Sequence, residues 1–153
     1  MSEEEAYGKF NSSRDEFGAA ARSDLSNGDT DTCIYALKRN PAVLERMLSR
    51  SRADVAVSVI TEGELRAAKS SAPAKTSRLV ENFLRPVTVI EFTSNDAVAY
   101  AQVRAKLERA GTPIGPLDTL IAAQAVERKL ILVSNNEREF GRVSGLRLEN
   151  WAT

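Results

Sequence analysis

The stretch DVAVSVI at residues 54–60 determines the fold class, and it leads directly into TEGELRAAK at residues 61–69. The first stretch is rich in β-branched residues and predicts a buried strand. The second is compatible with a helix that starts at Thr61. A strand followed by a helix, repeated along a chain, is typical of a parallel sheet in an α/β fold.

The same alternation continues on both sides of this stretch. Upstream, Asn40 and Pro41 are typical of a helix start and predict a helix at residues 42–50. Downstream, helices are predicted at residues 77–85, 95–111 and 117–129, and strands at residues 87–92, 130–134 and 146–149. We therefore expect an α/β fold with a central parallel sheet and helices on both faces.

The composition excludes several kinds of chemistry. The chain has 153 residues, no histidine and one cysteine, Cys33. Ser-His-Asp catalysis, Cys-His catalysis and a zinc site built from Cys and His are therefore excluded. The net charge is zero, but residues 29–153 carry 18 basic against 15 acidic side chains. This surplus is compatible with RNA binding.

The N-terminus has no pattern of a secretory signal, because Met1 is followed closely by Glu3, Glu4 and Glu5. No apolar stretch approaches the roughly 18 residues that would span a bilayer. We expect a cytoplasmic protein without a membrane partner.

Acidic side chains recur where predicted strands end or where the following helices begin. They are Asp29, Glu64, Asp118 and Glu139, the last behind Asn135 and Asn136. Ligands of open α/β folds lie at the carboxyl ends of the strands, so we expect these side chains to meet there. Oxygen ligands without histidine suit Mg²⁺ or Mn²⁺, which can promote phosphodiester hydrolysis.

Each of these residues also has a structural interpretation. Thr61 and Glu64 have the spacing of a capping box. Asp118 in a first helical turn is favoured by the helix dipole. Asp29 is compatible with a turn, and Asn135 and Asn136 with a helix cap.

Five segments in succession resemble one known family, the PIN-domain toxins of VapBC toxin–antitoxin pairs. The match extends over residues 29–151 almost continuously. The segments, each with the family pattern in parentheses, are DTDTCIY at 29–35 (DTN-x-CIY), SVITEGEL at 58–65 (S-x-IT-x-x-EL), GTPIGPLDTLIAA at 111–123 (GTP-x-GP-x-D-x-x-IAA), VSNNEREF at 133–140 (VTNN-x-REF) and GLRLENW at 145–151 (PGLR-x-E-x-W).

The resemblance implies a three-layer PIN fold and a Mg²⁺- or Mn²⁺-dependent endoribonuclease. It implies a small VapB-type antitoxin, a homodimer and an RNA substrate. The branch of the family with the NN-x-REF and GTP-x-GP motifs resembles toxins that cut initiator tRNA, so the resemblance implies this tRNA as the substrate. Carried over by position, Asp29, Glu64 and Asp118 are the core acids, and Asp29 and Asp118 are the metal ligands. Many PIN domains have Asp where this chain has Asn135 and Asn136, so Glu139 is the fourth expected site residue.

Four basic side chains follow the first two acidic motifs closely: Lys38, Arg39, Arg66 and Lys69. We expect them to contact RNA phosphates, since such contacts supply most sequence-independent affinity. The alternative is that they form a solvated helix face.

Two departures from the family pattern stand out. Asp31 replaces the usual Asn and adds negative charge beside the metal ligands. Residues 21–28 contain only Leu25 as a large apolar residue, whereas a buried parallel strand is usually a continuous apolar run. Either these residues form a poor strand held by its context, or the segment is not the family's native N-terminus. We therefore divide the chain into an atypical polar segment, 1–28, and a nuclease domain, 29–153.

Two other functions are compatible with the sequence. Asp29-Thr30-Asp31 also resembles the DxD opening of haloacid-dehalogenase phosphatases, in which the first Asp is the nucleophile. That family requires a late acidic pair, whereas this chain has Asn135 and Asn136 after the predicted strand at residues 130–134. A catalytically impaired PIN module that only binds RNA or a partner is the non-enzymatic alternative.

Overall fold

The computed structural model describes residues 26–50, 54–70 and 74–152. One or two helices lie between successive strands, and the helices and strands that the sequence predicts between residues 42 and 149 are all present. The strand at residues 26–28 and the helices at residues 30–37 and 137–140 were not predicted. In chain order the elements are β1 (Ser26–Gly28), α1 (Thr30–Leu37), α2 (Pro41–Leu48), β2 (Val55–Ser58), α3 (Val59–Ser70), α4 (Ala74–Leu84), β3 (Thr88–Ile90), α5 (Ser94–Arg109), α6 (Pro116–Arg128), β4 (Ile131–Val133), α7 (Glu137–Phe140) and β5 (Arg147–Glu149).

The strands form one parallel sheet in the order β3-β2-β1-β4-β5. The central strand is β1, whose last residue, Gly28, lies opposite Val57 of β2 and Val133 of β4. The carboxyl ends of the three middle strands therefore lie side by side. The predicted parallel sheet is confirmed.

Helices cover both faces of this sheet. Val55 and Val57 of β2 pack into one core, whereas Ala56 between them packs into the other. The first core includes side chains of α1, α2 and α4, and the second includes side chains of α5, α6 and α7. This is the predicted three-layer arrangement, and it explains why all four residues of β2 are buried.

The central strand begins ahead of the predicted domain boundary. Residues 26–28 pair with a strand on each side, although we assigned them to the polar segment that precedes the domain. Backbone pairing does not require large side chains, and the flanking strands supply the apolar ones. Ser-Asn-Gly at residues 26–28 thus forms the central strand despite its polar composition. The division of the chain at residue 29 stays a prediction. Residues 1–25 of that segment lie outside the described ranges.

Helix α3 begins two residues earlier than predicted. The Ser58 hydroxyl accepts a hydrogen bond from the Ile60 backbone N–H at 3.1 Å and so serves this helix start. Thr61 lies inside the helix, and its buried hydroxyl has no hydrogen-bond partner. The capping-box interpretation of Thr61 and Glu64 is therefore wrong.

A buried ion pair holds the end of α6 against the start of α5. Asp96 is fully buried and accepts hydrogen bonds from Arg128 Nη2 at 2.9 Å and from the Thr93 N–H at 2.8 Å. Burial alone would raise the pKa of the Asp96 carboxyl. The hydrogen bonds from Arg128, Thr93 and Gln124, together with the Arg128 charge, outweigh burial and hold that pKa below its usual value.

A void of about 20 Å³ lies beside Gly28, which lacks a Cβ, in the core on the first face of the sheet. Thr32, Cys33, Phe83 and Trp151 are among the residues around it. A Cβ placed on Gly28 would lie 3.6 Å from Cys33 Sγ, which is an ordinary contact distance. The central strand therefore has room for one more methyl group.

We expect Gly28→Ala to raise the free energy of unfolding by about 0.5–1 kcal/mol, because it removes the entropic cost of glycine and fills part of the void. Thermal and urea unfolding measure the change. Gly111→Ala is the matched control, since Gly111 has a φ of 70° and alanine there is strained. A lower melting temperature for Gly28→Ala would show that the strand does not tolerate a side chain.

We expect Asp96→Asn to destabilise the fold at neutral pH by roughly 1.5–3 kcal/mol, because charged hydrogen bonds are lost. The pKa of Asp96 in the folded protein lies below the value of about 3.9 in an unfolded chain. Its contribution is therefore complete above that value and is lost as the pH falls through the folded pKa. Urea unfolding, measured from neutral pH to about pH 3, should show the free energies of unfolding of the wild type and of Asp96→Asn becoming more similar as the pH falls. If the difference in free energy of unfolding stayed constant across this pH range, the charge of the Asp96 carboxylate would not be its cause.

Candidate functional site

Asp29 stands at the centre of the candidate site, between the end of β1 and the start of α1. Its side chain is only 3% exposed. Oδ1 accepts the Thr32 backbone N–H at 2.9 Å, and Oδ2 accepts the Ser134 hydroxyl at 2.6 Å. The backbone N–H of Asp29 donates to the Val133 carbonyl at 3.0 Å. The carboxylate is thus held from its own helix and from the neighbouring strand.

Two hydroxyl side chains that our sequence interpretation passed over complete this arrangement. Ser134 directly follows β4, and its oxygen also accepts the Asn136 N–H at 2.9 Å. Thr32 Oγ1 donates to the Val133 carbonyl at 2.9 Å. Two sequence features could have indicated that Thr32 and Ser134 belong to the site. Asp29 and Thr32 have helix N-cap spacing, and Ser134 occupies the position after β4 that Asp29 occupies after β1.

Glu139 is joined to this arrangement through Asn136. Asn136 caps α7, and its Nδ2 donates to Glu139 Oε2 at 3.0 Å. Asn135 is turned to the C-terminal segment instead, where its Oδ1 accepts a hydrogen bond from Asn150 at 3.1 Å. Asn136 thus connects Ser134 with the Glu139 carboxylate.

Glu64 and Asp118 come from two helices that pack against each other. Glu64 is half-buried in α3, which follows the end of β2 beside β1. Asp118 is half-buried in the first turn of α6. Arg142 Nη1 donates to the Pro113 carbonyl at 3.0 Å, so the loop before α6 is tied to the segment that follows Glu139.

The chemical type of the oxygen atoms at this site suits a hard divalent cation. They are carboxylate and hydroxyl oxygens, and Thr32 and Ser134 hold the Asp29 carboxylate in one orientation. In the described part of the chain, no three Asp, Glu, Cys or His side chains form a ready metal-binding group. Mg²⁺ usually binds through one or two carboxylates, with water and substrate phosphates as its remaining ligands. A cage of three carboxylates is therefore not required.

Thiolate chemistry does not contribute to this site. Burial, followed by the negative charge of Asp29, raises the pKa of the Cys33 thiol well above its usual value. The thiol stays protonated near neutral pH, and Cys33 serves the core of the first sheet face.

The structure describes the side chains of three of the four basic residues that we expect to contact RNA. Lys38 and Arg39 follow α1 at the end opposite Asp29, about 12 Å along its axis. Arg66 is paired with Glu62 and Glu81. The side chains of Lys69 and of Asp31 lie outside the described part of the structure.

Comparison with known proteins identifies relatives of the whole described domain. A sequence profile described as PIN domain matches residues 29–146. The tRNA(fMet)-specific endonuclease VapC of Salmonella typhimurium is 39% identical over 125 residues, which cover 80% of this chain and 95% of the relative. Ribonuclease VapC2 of Haemophilus influenzae is also 39% identical over 125 residues, with the same two coverages.

Solved structures show the same architecture. The crystal structure of DNA-bound VapBC from Salmonella typhimurium aligns with a TM-score of 0.79 at 36% identity, covering 84% of this chain and 98% of the matched one. VapBC2 from Rickettsia felis, bound to a DNA fragment from the promoter, aligns with a TM-score of 0.76 at 30% identity. This alignment covers 83% of this chain and 98% of the matched one. These matches set aside the haloacid-dehalogenase interpretation of Asp29-Thr30-Asp31.

We expect Ser134→Ala to lower the free energy of unfolding by roughly 1.5–3 kcal/mol, because Asp29 loses a hydrogen-bond donor in a buried position. Ser134→Thr keeps the hydroxyl and is the matched control. Urea unfolding of the three proteins gives the comparison. If Ala and Thr variants were equally stable, the bond from Ser134 to Asp29 would not contribute to holding the site.

Proposed function

This chain belongs to the PIN-domain family, among the ribonucleases of the VapC type, and on that premise we propose that it is a metal-dependent endoribonuclease toxin. The observation that carries this proposal is the Asp29 carboxylate, buried at the end of the central strand and oriented by Thr32 and Ser134. A buried carboxylate with donors on both oxygens is costly to desolvate, and a bound cation would offset that cost.

Asp29 and Asp118 would hold the metal ion, which we propose to be Mg²⁺ or Mn²⁺ because the available donors are oxygens. When bound, such an ion activates water and neutralises charge on the scissile phosphate. The protein's own part is to keep the carboxylates in place. Ser134 and Thr32 orient Asp29, and the bond from Asn136 orients Glu139.

Glu64 and Glu139 are the proposed proton acceptors for the attacking water. Both are half-buried carboxylates on elements that begin beside the ends of the middle strands. A carboxylate oxygen near the nucleophile accepts its proton as the phosphodiester is attacked. The products are two RNA fragments, and the bond broken joins phosphorus to the leaving oxygen.

The names of the relatives support a substrate and a partner. Two relatives are named as tRNA(fMet)-specific endonucleases, so we propose initiator tRNA as the substrate. Similar solved structures are of VapBC, which supports a VapB-type antitoxin as the partner. No described helix is long and apolar enough to cross a membrane. The homodimer and the cytoplasmic location remain predictions from the sequence.

We expect Asp29→Asn and Asp118→Asn each to reduce RNA cleavage by at least about a hundredfold, because each removes a metal-binding charge. Purified protein is incubated with initiator tRNA and an elongator tRNA, with EDTA, Mg²⁺ or Mn²⁺, and the products are separated on a gel. Glu45→Gln is the control, since Glu45 is exposed on α2 away from the site residues.

Three outcomes separate the alternatives. Metal-dependent cleavage that is lost in both Asp variants and kept in Glu45→Gln supports the nuclease. RNA binding by the wild type without cleavage in any metal would instead support a binding module. Equal cleavage of both tRNAs would contradict only the proposed substrate.

A further inference from the structure

A cavity of about 260 Å³ opens beside the first turn of α6. Its walls come from residues 100–108 of α5, from the loop before α6 and from the start of α6. The lining residues are Tyr100, Arg104, Leu107, Glu108, Pro113, Ile114, Pro116 and Thr119. Neither the acidic site residues nor the basic residues predicted from the sequence are among them.

This cavity adjoins the proposed metal ligand Asp118. Pro116 and Thr119, which line it, flank Asp118 in the sequence. Thr119 is anchored by two bonds to the Gly115 carbonyl, from its N–H at 2.9 Å and from its hydroxyl at 2.8 Å. A Cβ on Gly115 would lie 3.7 Å from Asp118 Oδ2, so the carboxylate lies close over the same loop. A group in the cavity would therefore contact the same helix turn that carries the proposed metal ligand.

The walls suit a flat, partly polar group. Leu107, Pro113 and Ile114 give apolar contact. On α5, Arg104 Nη1 donates to the Tyr100 hydroxyl at 3.1 Å, and Arg104 Nε donates to Glu108 at 2.8 Å. These bonds hold the guanidinium plane in the wall of the cavity. Unpaired RNA bases bind proteins by stacking on aromatic rings or guanidinium planes and by bonds to their polar edges.

A second hollow, of about 130 Å³, lies on the other side of Leu107. Lys106 and Arg142 line it without any acidic neighbour in its wall. Among the described residues, neither of these cations takes part in an ion pair. The bond from Arg142 to the Pro113 carbonyl joins the two hollows. Phosphates are held by unpaired cations of this kind.

We propose that the larger cavity receives one unpaired nucleobase of the RNA substrate, with an adjoining phosphate at Lys106 and Arg142. This inference rests on the proposed nuclease function and specifies how the substrate is recognised. The volume lies below the roughly 300–1,000 Å³ of pockets that enclose whole small molecules, so it suits a single ring system. The RNA then crosses α5 and the loop before α6, rather than the far end of α1 where Lys38 and Arg39 lie.

The test measures binding of RNA in EDTA, where cleavage is prevented. The probe is a fluorescein-labelled RNA stem–loop, with a set of versions in which one loop nucleotide at a time lacks its base. For the wild-type protein we expect one of these versions to bind about tenfold more weakly, because one stacked base is lost. The Arg104→Ala and Tyr100→Ala variants have lost the wall that would hold this base. Each of them should therefore bind the version without the base and the complete stem–loop with equal affinity.

Arg109→Ala is the matched control, because Arg109 is an exposed arginine on the same helix that does not line the cavity. It should keep the tenfold difference. If the wild type bound every version equally, or if the cavity variants kept the difference, the inference would be overturned. The scan on the wild type needs no substitution, so a poorly folded variant does not decide the result. Cleavage of the complete stem–loop with metal, measured in parallel, separates failure of this inference from failure of the nuclease function.

Discussion

Parallel pairing of the short strand β1 between β2 and β4 is the constraint on which the site depends. This strand contributes no large side chain, so its place is set by backbone hydrogen bonds on both sides and by the apolar residues of its neighbours. Because Gly28 lies level with Val57 and Val133, the next residue, Asp29, emerges between the ends of two buried strands. A shift of the register would move this carboxylate away from Ser134.

Burying a carboxylate at that point costs free energy, and the surrounding donors show how the fold offsets the cost. Asp29 receives a backbone N–H from α1 and a hydroxyl from the segment after β4. The same Ser134 oxygen accepts the Asn136 N–H, and Asn136 in turn holds Glu139. One chain of hydrogen bonds therefore connects two carboxylates that are far apart in the sequence. Such preorganisation is what a metal-dependent site requires.

Helix α6 is fixed near both of its ends, which matters because it carries Asp118. At its C-terminal end, Arg128 binds buried Asp96 and the Glu91 carbonyl. At its N-terminal end, Thr119 binds the Gly115 carbonyl, and Arg142 holds the loop through Pro113. The larger cavity lies at this second end. The residues that position the carboxylate thus also shape the surface where we place the RNA base.

The sequence by itself determined the class of the fold, and it predicted the chemistry of the site. Alternating strand and helix patterns predicted a parallel sheet covered on both faces. The absence of histidine and the motifs around Asp29, Glu64 and Asp118 indicated an oxygen-ligand metal site. These features are local, since periodicity, composition and motif spacing are read within short segments.

Only the tertiary structure decided which side chains meet. Ser134 and Asp29 are 105 residues apart, and their bond exists because β1 and β4 are neighbours in the sheet. The polar Ser-Asn-Gly segment became the central strand through pairing with its neighbours, against its own composition. Lys38 follows Asp29 closely in sequence but lies at the other end of α1, because a helix carries its successive residues away from its start. Long-range pairing and helix direction are properties of the assembled chain, so a local pattern does not contain them.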